Sequence, residues 1–298
     1  MRQIHHGQAK RRLEQLALAV SSTLAVTGPV LSAVVDVTWI GGGGWWYANA
    51  GWTGGVVPNN TAQTQYRVFM DGGNPTSQGA NIDQMYTVDA LTIDAGDEID
   101  LVNKGKLTIL GDVTSNGLLQ LNQTSTLTIG ASPAIPGGAW LNTGIVQMTG
   151  KCSIAANVSS FINTGVVTVS TTGSLLINGP WQNLGTINAN GGTIGLGGEI
   201  SIDAFSQIQN ATGNNIILGT LDNTGRDFVI DSASPGWWVS GTLRGGRVIT
   251  TAGNALKVKR IGANSPALDG VVLDGTINMA TIAESLDIVG GGTLKGSG

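Results

Sequence analysis

The chain has 298 residues, of which 41% are hydrophobic and 11% charged, with 46 glycines and a formal net charge of −4. That hydrophobic share with so little net charge excludes a disordered chain, and glycines that follow no three-residue period exclude collagen. Abundant Val, Ile and Thr punctuated by Gly and Asn read as many short strands joined by tight turns.

The first 33 residues differ from the rest. Arg2, Lys10, Arg11 and Arg12 precede a mostly apolar stretch from Leu13 to Val26, and Gly28-Pro29 and Leu31-Ser32-Ala33 follow it. A basic start, a short apolar stretch and a small-residue exit predict a secretory signal peptide over residues 1–33, and therefore an exported protein. The competing reading is an amphipathic N-terminal helix. The apolar part is shorter than the roughly 20 residues a membrane span requires, and no later segment supplies a transmembrane helix. This leader holds four of the 15 Lys and Arg and one of the 19 Asp and Glu, which leaves 11 basic and 18 acidic residues and a net charge of −7. Such a balance disfavours nucleic acid as a partner. His5 and His6 leave with the leader, so the exported part has no histidine. Catalysis by a Ser-His-Asp or Cys-His pair and zinc sites built on His are thereby excluded. The single Cys152 forms no intrachain disulfide.

Residues 34–82 are expected to form a Trp-rich N-terminal cap. Trp39 to Pro58 (WIGGGGWWYANAGWTGGVVP) holds four of the eight tryptophans. The series Trp39, Trp46, Ala48-Asn49, Trp52, Gly54-Gly55 and Pro58 resembles the opening motif of bacterial autotransporter-type, β-helical surface passenger repeat proteins. The resemblance implies a β-helical architecture and says little about ligand. It departs from the family pattern at Gly51, where an Asn usually precedes the third Trp. Two readings compete for the aromatics. One is an end plug over the first rung of a stack, which otherwise leaves its core and strand edge exposed. The other is a carbohydrate platform formed by Trp45, Trp46 and Trp52, with Trp237 and Trp238 as a second platform.

Residues 83–298 carry the repeats. Asp94-Ala-Gly-Asp97-Glu98-Ile-Asp100 opens them, and Asp94, Asp97 and Asp100 are candidate oxygen ligands for Ca²⁺; the competing reading is a solvated turn. A signature then recurs at Asn142-Thr143-Gly144, Asn163-Thr164-Gly165 and Asn183-Leu184-Gly185, at spacings of 21 and 20 residues. Asn223-Thr224-Gly225 lies 40 residues further on, two periods, and Asn116-Gly117 is an earlier, weaker copy. The longer interval before Asn142 places an inserted loop at Ala131–Pro136. Runs such as Leu107-Thr108-Ile109 and Leu127-Thr128-Ile129 alternate with period two, as strands with one buried face do.

A fixed period near 20 residues means that each unit stacks on its neighbours and shares their core. The predicted fold is an all-β, right-handed parallel β-helix (β-solenoid) with about 20 residues per rung. A β-sandwich is the alternative. Asn and Gly at one corner of each rung fit a left-handed turn, and asparagines on successive rungs can stack as an amide ladder; a ligand-binding Asn row is the other reading.

Three further features bear on function. Asp269 and Asp274 resemble a paired carboxylate site of glycosidase type, or else repeated turn residues. Lys257, Lys259 and Arg260 form the one basic cluster, suited to an acidic sugar or to a solvated strand. Gly290–Gly298 ends in mid-pattern, which suggests a further C-terminal region or a capping partner. The leading expectation is a cell-surface or extracellular protein with a structural or adhesive role, meeting glycans or other cell-surface components. The alternatives are a polysaccharide-active enzyme, either a lyase or a glycoside hydrolase, and a non-catalytic carbohydrate-binding protein.

Overall fold

The computed structural model describes residues 32–70, 77–209, 212–232, 237–261, 265–279 and 285–295. The leader therefore lies outside the described residues, apart from Ser32 and Ala33. The chain winds into an all-β solenoid of about 10 turns. Strands of successive turns pair in parallel throughout, for example Glu98–Leu101 with Leu118–Asn122 and then with Ile145–Thr149. A sandwich of antiparallel sheets is excluded by that pairing.

Each turn contributes to three walls. The first runs from Ala33–Trp39 through Thr64–Met70, Ala90–Ile93, Val113–Ser115 and Gly137–Asn142. The second runs from Gly43–Trp45 to Ile208–Gln209 as an eight-stranded sheet. The third begins at Met85–Val88 and continues to Ile277–Met279. Ser153–Asn163, an 11-residue strand, passes from the third wall into the first without a break and so joins them in one sheet. Among the described residues the parallel pairing includes Ala33–Trp39 and Gly43–Trp45, so the Trp-rich segment supplies strands to the first and second walls. The loop Ala131–Pro136 stands between Thr126–Ile129 and Gly137–Asn142, where the stretched interval placed it.

Alternation within each short strand sends every second side chain inward. Register then stacks like upon like. Leu107, Leu127, Ile154, Leu175 and Ile194 form one buried column, and Ile109, Ile129, Ala156, Ile177 and Leu196 form its neighbour. Trp140, Phe161 and Trp181 stack in the first wall, the first two with ring centroids 4.7 Å apart. Burying each large side chain is worth about 1.5–3 kcal/mol, so the core is a sum of many equal increments.

The recurring Asn-x-Gly lies at the corner between the first and second walls. Asn142, Asn163 and Asn183 stand in register and are buried. Asn142 Nδ2 donates to Asn163 Oδ1 at 2.7 Å, and Asn163 Nδ2 donates to Asn183 Oδ1 at 2.7 Å. Ser115 begins the row, its hydroxyl donating to Asn142 Oδ1 at 2.9 Å. The row is thus Ser115-led; Asn116 sits one residue outside it and accepts from Thr143 Oγ1. Asn223 is buried too, but its Nδ2 donates to the Arg247 carbonyl, beyond a turn that contains the helix Ile202–Phe205. The left-handed explanation of this corner holds for glycine in some turns, Gly225 (φ 70°) and Gly270 (φ 64°) among them, but not for the asparagines. None of these asparagines has positive φ; the non-glycine residues that do are Asn103, Lys104, Gln123 and Asn190, at the corner between the second and third walls. Gly165 is required for a different reason: a β-carbon there would collide with the Gly144 carbonyl oxygen of the turn below.

The corner is therefore specified twice, by amide pairing and by close backbone approach. Asn163→Ala would leave Asn142 Nδ2 and Asn183 Oδ1 buried without partners and is expected to cost about 3 kcal/mol. Gly165→Ala should cost about 2 kcal/mol through the collision. The exposed neighbour change Thr164→Ala should stay within about 0.5 kcal/mol. Urea unfolding midpoints check all three, and equal midpoints for Asn163→Ala and Thr164→Ala would refute the ladder's contribution.

Candidate functional site

The aromatic segment divides by burial. Trp39, Trp46 and Trp52 are inside the first turn, packed edge to face with centroids 4.9 Å (Trp39–Trp52) and 4.7 Å (Trp46–Trp52) apart. Their ring nitrogens donate to the carbonyls of Gly42, Pro58 and Trp46 respectively. Gly51 lies against the Trp39 ring, which any β-carbon there would enter. Trp46 and Trp52 therefore present no face to a sugar, which corrects their place in the platform. Trp45 is the outward member, 37% exposed, and stacks on Tyr47 at 5.8 Å with the rings 8° from parallel.

The second pair divides in the same way. Trp237 points inward against Phe205, at 4.6 Å between centroids, and so is also corrected as a platform residue. Its neighbour Trp238 points outward and carries the Lys257 ammonium over its ring at 5.8 Å. Period-two alternation is the physical reason at Trp237 and Trp238, since adjacent residues on a strand cannot share a face; the strand Gly43–Trp45 ends at Trp45, and Trp46 goes inward in the turn that follows.

The acidic candidates do not converge. Asp97 turns into the corner, where its Oδ1 accepts from the Gln78 backbone N–H at 3.1 Å. Asp100 stands on the outer side of the second wall and accepts from Asn122 Nδ2 at 2.6 Å, and Thr149 in turn donates to Asn122. Asp94 lies in the turn between the first and second walls. Among the described residues no group of three His, Cys, Asp or Glu side chains is arranged to hold a metal ion. Burial raises the Asp100 carboxyl above the usual carboxylate range, against the lowering effect of its bond from Asn122. Asp269 and Asp274 are likewise not a pair. Arg244 approaches Asp269 at 3.6 Å and Arg247 binds Asp274, each on a different sheet. Lys259 and Arg260 are exposed at the end of the strand that bears Lys257.

What the strand pattern did not single out is the outer face of the second wall. Trp45, Asn81, Asp100, Gln120, Gln147 and Thr168 occupy one register position on successive turns. Beside them Leu118, Ile145 and Val166 occupy another, with Ile145 47% and Val166 41% exposed. The signal was present in the middle residue of each apolar-x-apolar run, but only the stacking shows that these residues form columns.

This chain is similar to "Outer membrane protein A" of Rickettsia rickettsii, at 25% identity over 226 residues, which covers 67% of this chain. The chain spans 10% of that relative's length. No family model matches the chain, and no solved structure matches it. Among the described residues no helix is long and apolar enough to cross a membrane.

Two expectations follow from the site. Hydroxyl-radical footprinting read by mass spectrometry should label Trp45 well before Trp39, Trp46 or Trp52. Trp46→Ala should destabilise by about 3–5 kcal/mol and Trp45→Ala by less than about 1 kcal/mol. Equal labelling of Trp45 and Trp46 would contradict the burial. The second concerns Asp100, whose folded pKa is raised, so its charged form opposes folding at neutral pH, and that opposition fades as pH falls through the folded pKa and is gone below the ordinary carboxylate range. Asp100→Asn keeps an oxygen for Asn122 to bond. It should raise the urea midpoint at neutral pH, and the gain should disappear once the carboxyl is protonated in the folded and unfolded chain alike. A midpoint difference independent of pH would count against this.

Proposed function

We propose that this chain acts as an exported, surface-displayed β-solenoid with a structural and adhesive role. The observation that carries the proposal is the parallel stack of the described residues, which hides its apolar residues in one core and leaves long walls of regularly repeated outward side chains. Such walls suit extended contact with another surface better than they suit a single reacting centre. The likeness to a protein named for the outer membrane supports surface display. The carboxylates that a glycosidase reading requires, Asp269 and Asp274, are each engaged by an arginine, so adhesion is preferred to catalysis.

Protease shaving of intact cells that produce the tagged full chain tests the first half of this reading. External protease is expected to remove the tag signal while a cytoplasmic marker survives. Beads coated with the purified chain should adhere to target cells more than beads coated with an unrelated protein of equal charge. Retention of the chain in the cytoplasm would overturn surface display, and equal adhesion of the two bead types would overturn the adhesive role.

A further inference from the structure

The outer face of the second wall differs chemically from the rest of the coil. Its eight strands carry Glu98 and Asp100 as their only charged residues and have no cation. The later walls, by contrast, bear Arg244, Arg247 and several carboxylates. In one column the wall presents Asn81, Asp100, Gln120, Gln147, Thr168 and Asn188 in register. The side-chain amides of Gln120 and Gln147 have no partner among the described residues, although both side chains are partly exposed. The adjacent column is aliphatic, through Leu118, Ile145 and Val166. At the N-terminal end of the amide column stands the exposed Trp45–Tyr47 stack.

We propose that this face is a binding track for an extended, uncharged polysaccharide lying along the coil axis, with Trp45 and Tyr47 as its stacking subsite; the proposal rests on the adhesive reading above. Four chemical matches support that occupant. A primary amide both donates and accepts, as a sugar hydroxyl does, so a row of Gln and Asn pairs with a row of hydroxyls without ionic partners. The aliphatic column receives the C–H faces of the rings. The Trp45 ring offers the flat, partly apolar surface on which a pyranose stacks. Rungs repeat about every 4.8 Å along the axis, close to the length of one pyranose ring, so successive rings of a ribbon-like chain meet successive amides. Without a cation on the wall, and with Glu98 and Asp100 upon it, an acidic polysaccharide is repelled rather than recruited.

Calorimetric titration of the purified full chain tests the track with neutral gluco- and xylo-oligosaccharides of increasing length, and with polygalacturonate as the anionic comparison. Affinity for the neutral series should rise with the number of rings, and polygalacturonate should not bind. Trp45→Ala and the double change Gln120→Ala with Gln147→Ala should each weaken binding about tenfold or more. Thr108→Ala with Thr128→Ala, on the third wall, should not weaken it. All of these side chains point outward, and unchanged unfolding midpoints will confirm that the fold is intact. Absence of binding to the neutral series would overturn the proposal. So would a preference for polygalacturonate, or affinity that ignores the second-wall changes. The bead adhesion assay, run on the same variants, separates this proposal from the reading beneath it. If adhesion persists while the neutral series fails to bind, the track falls and the adhesive role stands. If adhesion fails while the neutral series binds as described, the track stands and the adhesive role falls.

Discussion

The asparagine row at the corner between the first and second walls is the constraint from which much of the architecture follows. Asn142 and Asn163 each donate to one neighbour and accept from the other, Asn183 ends the row by accepting from Asn163, and none of the three residues is exposed. A buried amide left unpaired costs about 1–3 kcal/mol, so sliding one turn against the next would be penalised at every member at once. The glycine two residues on adds a steric limit, since the turns approach too closely there for a β-carbon. Together these hold the register in which Leu lies over Leu and Ile over Ile. A slip of a single residue would turn the core columns outward.

The row stops where the coil changes character. After Asn183 the next turn carries the helix Ile202–Phe205, whose Ser201 cap accepts from the Ala204 N–H. Asn183 Nδ2, Asn223 Oδ1 and Trp181 Nε1 are buried there without a partner in the protein. Such groups in a packed interior are ordinarily met by ordered water. Phe205 fills the interior instead, against Phe228 and Trp237. Around this turn separate sheets of five and four strands take the place of the first two walls, while the third continues to Ile277–Met279. Registration there is shared with charges on the outside: Arg244 reaches Glu199 at 3.3 Å and Asp269 at 3.6 Å, Arg226 reaches Asp203 at 3.2 Å, and Arg247 pairs with Asp274. Exposed pairs of this kind contribute little energy each, but opposite charges on adjacent strands still favour one alignment over its neighbours. The Asp222 carboxyl lies below its usual range chiefly because Thr224 hydrogen-bonds it, so this turn too is braced locally.

The two halves consequently offer different surfaces to a partner. In the first, register is held from inside, and the strands of the second wall carry no cation on an amide-rich outer face. In the second, Arg226, Arg244 and Arg247 on the outside are engaged with carboxylates of neighbouring turns. The candidate binding face lies in the half whose corner is pinned by asparagine.

Much of this was legible in the amino-acid order. The period, the parallel coil, the inserted loop at Ala131–Pro136 and the stacking of Asn142, Asn163 and Asn183 all follow from local repetition, because each turn meets only its neighbours and a repeated residue must meet its own copy. The inward burial of some tryptophans was legible in kind but not in identity. The strand ends at Trp45, so alternation does not settle which of Trp45 and Trp46 faces inward, and the packing of Trp46 against Trp52 decides it. The carboxylates Asp94, Asp97 and Asp100 are close in sequence and apart in space, because a corner falls between them and turns each to a different neighbour. Composition and spacing thus determined the coil and its period. Tertiary structure alone decided which glycines are demanded by close approach, where the amide row ends, and which outward residues line up as a surface, because each of these depends on contacts between turns that no single turn contains.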